Sequence, residues 1–473
     1  MQALARRWLS FFLILSAAIL AFFAFVGWSP AASLDELYTL GPATNEISLV
    51  VSVSLMWLLV GFALWWLSFR RVTQETALLF AGAIAVSLVY LAFLREHVQF
   101  MDYRAFVQAA RTMLAGQPLP ERYIYPPLWA FSLSLLQRAF GEQAPALACF
   151  ATTHISLVAF YVLGVLLLAR CGVSRTLASL LMFAAVVVNV PILRNVVYVQ
   201  VNLLLIDLVL AGLLVMRRST LLSALFFALA THLKIVPVLF VPVFIYRKEY
   251  RWLAYYVVLC VVIAWLAPFG GGFAYFRDFV GNLGQWHPAR LRSCSFYGLF
   301  HNTDRIFELG LPVDALFNVV RAVLGVWIYA VSYISIRRET FSRSDDLRTS
   351  AAINGLMPLM FLMPAFSPAA WSYHQVLLIL PAVLTLLYLR GPRRLGLWSI
   401  GYFFTFLLPV FDLYPWSYLR LVGWVALLVA LTDAVLRPRT SRWLENIDEA
   451  VNAGLSAATA AVSSASRRRF LGE

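Results

Sequence analysis

Between Asp102 and Pro127 lies a polar stretch that the apolar sequence around it does not explain. It reads Asp102-Tyr103-Arg104-Ala105-Phe106, then Gly116-Gln117-Pro118, then Tyr123-Ile124-Tyr125-Pro126-Pro127. A carboxylate in a Gly/Pro/Tyr-rich loop that follows an apolar run is a candidate catalytic group for chemistry at a lipid interface. Asp102 is that carboxylate, and Tyr103, Tyr123 and Tyr125 are candidate substrate contacts beside it.

Four further groups ask for a reason, because a charge within an apolar run costs roughly 2.5–3.5 kcal/mol on insertion scales. Lys234 interrupts the apolar block 220–246 together with His232, Pro237 and Pro242; it reads as a cation for a phosphate, or as a lysine snorkelling at a helix end. In Tyr198-Val199-Gln200-Val201-Asn202, the amides of Gln200 and Asn202 suit sugar hydroxyls or interhelical hydrogen bonds. Asp207, deeper in the same run, reads as the buried partner of a basic group. Ser367-Pro368-Ala369-Ala370-Trp371-Ser372-Tyr373-His374 allows a close turn, with Trp371 near a substrate and His374 donating to a phosphate oxygen or satisfied at the interface. The loop from Trp286 to Arg305 gathers His287, Arg290, Arg292, Ser293, Ser295, His301, Asn302 and Arg305, a basic cluster that an anionic ligand would explain.

The elements that must carry these residues are membrane helices. The chain is 62% hydrophobic and 13% charged, about half the charged fraction of a globular domain. Apolar runs near 8–28, 47–68, 76–94, 145–169, 174–191, 198–216, 252–268, 311–336, 350–364, 371–389, 395–411 and 416–436 reach or approach spanning length. The net charge of +14 is almost all arginine, only Lys234 and Lys248 being lysine. Short arginine-bearing loops such as Arg70-Arg71, Arg217-Arg218 and Arg393-Arg394 read as cytoplasmic. The Asp102 loop, the 269–310 loop and the 365–371 turn then face outward. Charge on both sides makes 220–246 a hairpin with Lys234 near the outer side. The pattern predicts about fourteen crossings with 126–140 a short helix that does not cross, while 103–115 reads as an amphipathic interfacial helix with Phe106, Ala109, Ala110 and Met113 on one face. Residues 1–75 read as N-terminal anchor helices, with Arg6-Arg7 opening a retained anchor, 76–436 as the catalytic membrane domain and 437–473 as a basic Ala/Ser-rich cytoplasmic tail.

Several functions are disfavoured. The basic residues show no soluble face interleaved with aromatics, so nucleic acid is not an expected partner. Cys149, Cys171, Cys260 and Cys294 are scattered, with no metal-ligand spacing. A nucleotide-binding glycine loop and an Asp-x-Asp pair are both missing, which argues against a soluble nucleotide-sugar donor.

Taken in order, the outer Asp and Tyr-Pro-Pro segment, Gln200-Val201-Asn202 opening a helix, the Lys234-x-x-Pro237 break and Ser367-Pro368-x-x-Trp371-Ser372-x-His374 resemble the bacterial GT-C membrane glycosyltransferases that include polyprenyl-phosphate-mannose-dependent alpha-mannosyltransferases and arabinofuranosyltransferases. The likeness covers roughly residues 98–390. It implies an all-α polytopic membrane protein, a GT-C-like bundle of about 12–14 transmembrane helices with an interfacial helix and outer loops. It further implies an inverting enzyme of the bacterial inner membrane that takes a sugar, mannose first among candidates, from a polyprenyl-phosphate donor at the outer leaflet to a glycolipid or glycan acceptor. Asp102 corresponds to the family's general base and His374 to its phosphate-facing histidine, with Lys234, Arg290 and Arg292 as further phosphate cations. Tyr103, Tyr123, Tyr125, Gln200, Asn202, His232, Ser295, His301 and Trp371 are the expected sugar or acceptor contacts. No cofactor is expected; a divalent metal could assist, but no ligand set is visible. Ser293-Cys294-Ser295 stands where the family has Asn-Gln-Ser, and no Gly precedes Gln200. The competing classes are a transporter or flippase of lipid-linked saccharides, which should show internal repeats, and an enzyme like an O-antigen ligase or polymerase, which relies on a large Arg/His loop.

Overall fold

A computed structural model describes residues 79, 81–83, 85–86, 88–90, 101–121, 123–142, 144–187, 189–266, 273–285, 294–341, 347–368, 370–389, 391–408 and 414–437, with the backbone alone at 101–103, 147, 150, 284–285, 347–348 and 364. The expected N-terminal anchor, the loop bearing Arg290 and Arg292, and all of the expected tail except Arg437 lie outside them. Among the described residues every regular element is helical.

Helix α1 (Met101–Leu114) is the expected amphipathic one: Phe106, Ala109, Ala110 and Met113 are buried while Arg104, Gln108 and Arg111 are exposed. Its described residues open at Met101, so Asp102 has helical backbone and does not stand in a loop. Pro126 and Pro127 open α2 (Pro127–Phe140). Its 14 residues extend about 21 Å, short of a ~30 Å hydrocarbon layer. Both helices join α3 (Ala144–Arg170), and residues 101–133 build a small core with Cys149, Val199, Val201, Leu233 and Phe279.

The main core is built from helices that break. α4 (Arg175–Val187) turns by 61° into α5 (Val190–Val197). Asn189 makes that corner: its Oδ1 accepts from the Ile192 N–H at 3.1 Å while its Nδ2 donates to the Ala185 carbonyl at 3.1 Å. Pro191 follows in the first turn, where its missing N–H costs nothing. After Val199, a β-branched residue at φ 55°, the chain enters α6 (Asn202–Val215). α7 (Thr220–Leu233) then stops at Lys234, which is extended, and a 3₁₀ turn (Val236–Phe240) leads into α8 (Val241–Tyr246). The apolar block 220–246 is thus two helical pieces broken at Lys234, as expected. α7 packs between α6 and α9 (Tyr250–Leu266). Beyond α10 (Ala274–Gln285), α11 (Phe296–Phe307) and the long α12 (Val313–Arg338) come α13 (Leu347–Leu359), α14 (Leu362–Phe366), a 3₁₀ segment (Ser372–Leu378) running into α15 (Ile379–Tyr388), α16 (Pro392–Tyr402) with a π-helical extension (Phe403–Leu407), and α17 (Leu419–Leu436).

Three described helices, Ala144–Arg170, Val313–Arg338 and Trp416–Leu436, are long and apolar enough to cross a membrane alone, and the bent pair α4–α5 would make a fourth. Asn189, Lys234, Pro358 and the Ser367–Trp371 turn cut other apolar runs of the described residues into shorter helices of 5–17 residues. Hydropathy registers the run but not the break.

α16 and α17 approach backbone to backbone. A Cβ on Gly423 would lie 2.7 Å from the Thr405 backbone nitrogen, and one on Gly401 2.9 Å from that of Leu427. Small residues allow such contact between membrane helices. Gly423→Ala is expected to destabilise by about 1–3 kcal/mol through overpacking, seen as a lower melting temperature in detergent. Gly281→Ala, on an exposed helical position with nothing within 4 Å, should match or exceed wild type. An unshifted Gly423→Ala protein would show that the two backbones do not meet.

Candidate functional site

Three of the helix breaks bring their side chains to one place. Lys234 is the extended residue that ends α7, and its backbone N–H still donates to the Ala230 carbonyl at 3.0 Å. The side chain is half-buried, and its Nζ donates to Asn202 Oδ1 at 2.8 Å and lies 2.8 Å from His374 Nε2. Asn202 is the first residue of α6, just past the Val199 turn; His374 stands at the head of the 3₁₀ segment that follows the Ser-Pro turn. The Lys234 ammonium also faces the rings of Tyr125 and Tyr373, 5.5 and 6.0 Å from their centroids, a cation–π environment. Tyr125 donates its hydroxyl to Gln200 Oε1 at 3.2 Å. Trp371 stacks at 15° on Tyr373, and Tyr373 packs on Tyr198.

The proton count at the lysine–histidine contact is unusual. The Trp371 backbone N–H donates to His374 Nδ1 at 3.1 Å, so the proton of a neutral ring belongs on Nε2, the atom that faces Lys234. A full ammonium and a protonated Nε2 cannot both donate into this contact. Either the lysine gives up a proton, or acceptor oxygens of an anion come between the two donors. The arrangement therefore suits an anionic ligand with several oxygens, and the tyrosine and tryptophan faces beside it suit a sugar ring.

Residues from two further segments brace the site. Ser295 caps α11, accepting from the Gly298 N–H at 2.9 Å and donating to the Pro368 carbonyl at 2.6 Å, while the Cys294 N–H donates to the Ala370 carbonyl at 2.6 Å. Ser295 thus ties the start of α11 to the Ser-Pro turn. α10 holds the 119–123 stretch: Asp278 accepts from the Leu119 N–H at 3.3 Å, and Asn282 donates to the carbonyls of Pro120 and Tyr123 at 2.9 and 3.2 Å. Tyr123 is buried, its ring packed between Phe106 and Tyr125.

The structure therefore gathers Lys234, His374, Asn202, Gln200, Tyr125 and Trp371, and sets Tyr123 and Ser295 beneath and beside them. His232 turns the other way, its Nε2 donating to the Cys260 carbonyl of α9 at 2.9 Å with Phe276 against its ring. Only two residues from Lys234, it is carried to the opposite side of the break. His301 stacks on Tyr297 in α11 and makes no described contact with the lysine cluster. Asp207 is buried without a basic partner among the described residues, contrary to expectation, and lies near Ser156 of α3. The side chains of Asp102 and Tyr103, with Arg290 and Arg292, fall outside the described residues.

Three neighbours were not picked out from sequence. Asn195 is fully buried between α5 and the 3₁₀ segment. Arg194 donates to the Tyr198 hydroxyl at 3.3 Å. Arg420 is buried in α17, where its guanidinium donates to the carbonyls of Thr405 and Leu408 and, at 3.2 Å, to Gln375 beside His374. A cation set between the apolar runs 174–191 and 198–216 was the available signal for Arg194, since a charge in such a setting asks for a partner.

With only two lysines in the chain, the placement of Lys234 has a direct chemical readout. An amine-acetylating reagent applied to the folded protein should modify exposed Lys248 first. Lys234 should react at least roughly tenfold more slowly, because it must leave charge-assisted hydrogen bonds worth about 1.5–3 kcal/mol. Equal labelling by peptide mass spectrometry would remove Lys234 from this site.

Comparison with known proteins bears on what such a cluster serves. Residues 123–363 match the model of glycosyltransferase family 87, a stretch that contains Tyr125, Gln200, Asn202 and Lys234 and stops short of Asp102 and His374. The chain is also 26% identical over 305 residues to the polyprenol-phosphate-mannose-dependent alpha-(1-2)-phosphatidylinositol mannoside mannosyltransferase of Mycolicibacterium smegmatis, an alignment covering 60% of this chain and 65% of that protein. It thus spans just under two thirds of that relative's length. Since the family match extends over half of the sequence and includes the broken helices that carry Asn202 and Lys234, the chain belongs to glycosyltransferase family 87.

Proposed function

We propose that this chain transfers a sugar, mannose first among candidates, from a polyprenyl-phosphate donor to a glycolipid or glycan acceptor at the extracytoplasmic face of a bacterial cytoplasmic membrane. The observation that carries the reading is the 2.8 Å contact of Lys234 with His374, a pair of nitrogen donors at the ends of broken membrane helices in a family 87 chain. The name of the mycobacterial relative, which is polyprenol-phosphate-mannose dependent, supports the choice of donor.

In this reading the donor phosphodiester lies against Lys234 and His374, and the sugar against Tyr125, Tyr373 and Trp371. Asp102 takes the proton of the acceptor hydroxyl as its oxygen attacks the anomeric carbon on the face opposite the phosphate. The bond from that carbon to the phosphate oxygen breaks, its electron pair leaves on the polyprenyl phosphate, and the anomeric configuration inverts. Charge accumulates on the departing phosphate, so fixed donors in a site of low dielectric stabilise the transition state more than the ground state. Arg290 and Arg292 of the outer loop are proposed as further phosphate cations. A single carboxylate suffices, because a single displacement needs one base and the leaving group departs as a phosphate.

The test is sugar transfer by the protein in nanodiscs, from radiolabelled polyprenyl-phosphate mannose to a total lipid extract, with wild type beside Asp102→Asn. Wild type should transfer, and the variant should lose about 10²–10⁴-fold in rate while still binding the donor. Transfer that survives the substitution would remove Asp102 as base. Donor binding without transfer by the wild type would sink the enzyme reading and favour a carrier of lipid-linked saccharides.

A further inference from the structure

Asn195 has no role in the reaction described above, yet its side chain is completely buried and fully engaged. Its Nδ2 donates to two carbonyls, Pro191 at 2.8 Å in its own helix and Tyr373 at 2.7 Å in the segment that carries His374. Both amide hydrogens are thereby used, so Oδ1 must be the atom turned to Asn202, and it accepts from Asn202 Nδ2 at 3.0 Å. That contact in turn fixes the Asn202 amide with its oxygen towards Lys234 Nζ, 2.8 Å away. Reversing either amide would set N–H groups against the lysine or an oxygen against two carbonyls, each leaving buried polar atoms unpaired at about 1–3 kcal/mol.

We propose that Asn195 is a positioning residue which, through the polarity of the Asn195–Asn202 amide pair and its grip on Tyr373, holds Lys234 and His374 in register for the phosphate of the donor. Asn202 then serves the lysine and not a sugar hydroxyl. The inference deepens the proposed function and rests on it only for the identity of the anion; the geometry it assigns to Lys234 stands apart from that.

The experiment measures the acetylation rate of Lys234 relative to Lys248 in wild type, Asn195→Ala, Asn195→Ser and Thr385→Ala. Thr385 donates to the Pro381 carbonyl in the same core and serves as a control for general loosening. Undecaprenyl phosphate binding is then measured for wild type, Asn195→Ala, Lys234→Ala and the double variant. Both Asn195 variants should raise the Lys234 labelling ratio roughly tenfold, the equivalent of one hydrogen bond to a charged group, and Thr385→Ala should not. Asn195→Ala should weaken undecaprenyl phosphate binding by roughly tenfold when Lys234 is present and by less than about twofold in Lys234→Ala, since its effect runs through that side chain. An unchanged labelling ratio, a change matched by Thr385→Ala, or equal weakening in both backgrounds would overturn the proposal. A raised ratio with undecaprenyl phosphate binding indifferent to Lys234→Ala would support the positioning role and refute Lys234 as a phosphate group.

Discussion

The organisation of this protein depends on placing an ammonium where water is scarce. A cation within an apolar membrane segment is costly and is retained only where oxygen acceptors, aromatic faces or a counter-charge surround it. Lys234 meets that requirement by ending a helix. Because α7 stops at Lys234, the side chain leaves the helix surface and reaches Asn202, Tyr125, Tyr373 and His374. A continuous helix through 220–246 would have buried the same charge against aliphatic neighbours.

The breaks are the material of the site. Backbone away from regular helix is tolerated at membrane depth only where protein or a polar cavity satisfies its N–H and C=O groups. The breaks here are satisfied by residues of the cluster or of the helices that carry it. Asn189 stitches the α4–α5 corner, the Gln200 N–H returns to the Asn195 carbonyl at 2.8 Å, and the Trp371 N–H finds His374 Nδ1. Arg420 does the same from beneath, donating to carbonyls at the end of the π-helical turn while holding Gln375, the neighbour of His374. Val199 at φ 55° shows strain held between two such breaks, where a β-branched residue costs of order 1–3 kcal/mol. Site formation and satisfaction of the backbone are thus one set of hydrogen bonds.

The small core of α1, α2 and α10 plays a different part. It presents the Tyr123–Pro127 segment to the lysine cluster and fastens it through backbone carbonyls gripped by Asn282. It also joins the helix that begins at Met101, and so Asp102, to the surface against which Tyr125 meets Gln200.

How much of this the sequence determined varies from residue to residue. Helical periodicity alone identified α1 and its buried face, since 3.6-residue spacing is a local property. The charge of Lys234 inside an apolar block, with prolines after it, marked both the break and a residue needing a reason. Short polar motifs in a fixed order were enough to suggest the family. Tertiary structure alone decided the partners. His232 and Lys234 were expected at one site, as sugar and phosphate contacts, yet the break turns one to the Cys260 carbonyl and the other to His374. Asn195 was silent, because an asparagine within an apolar run gives no sign of which carbonyls it will meet 178 residues away. Hydropathy sums side chains along a line, whereas breaks and hydrogen-bond partners are set by which segments pack together.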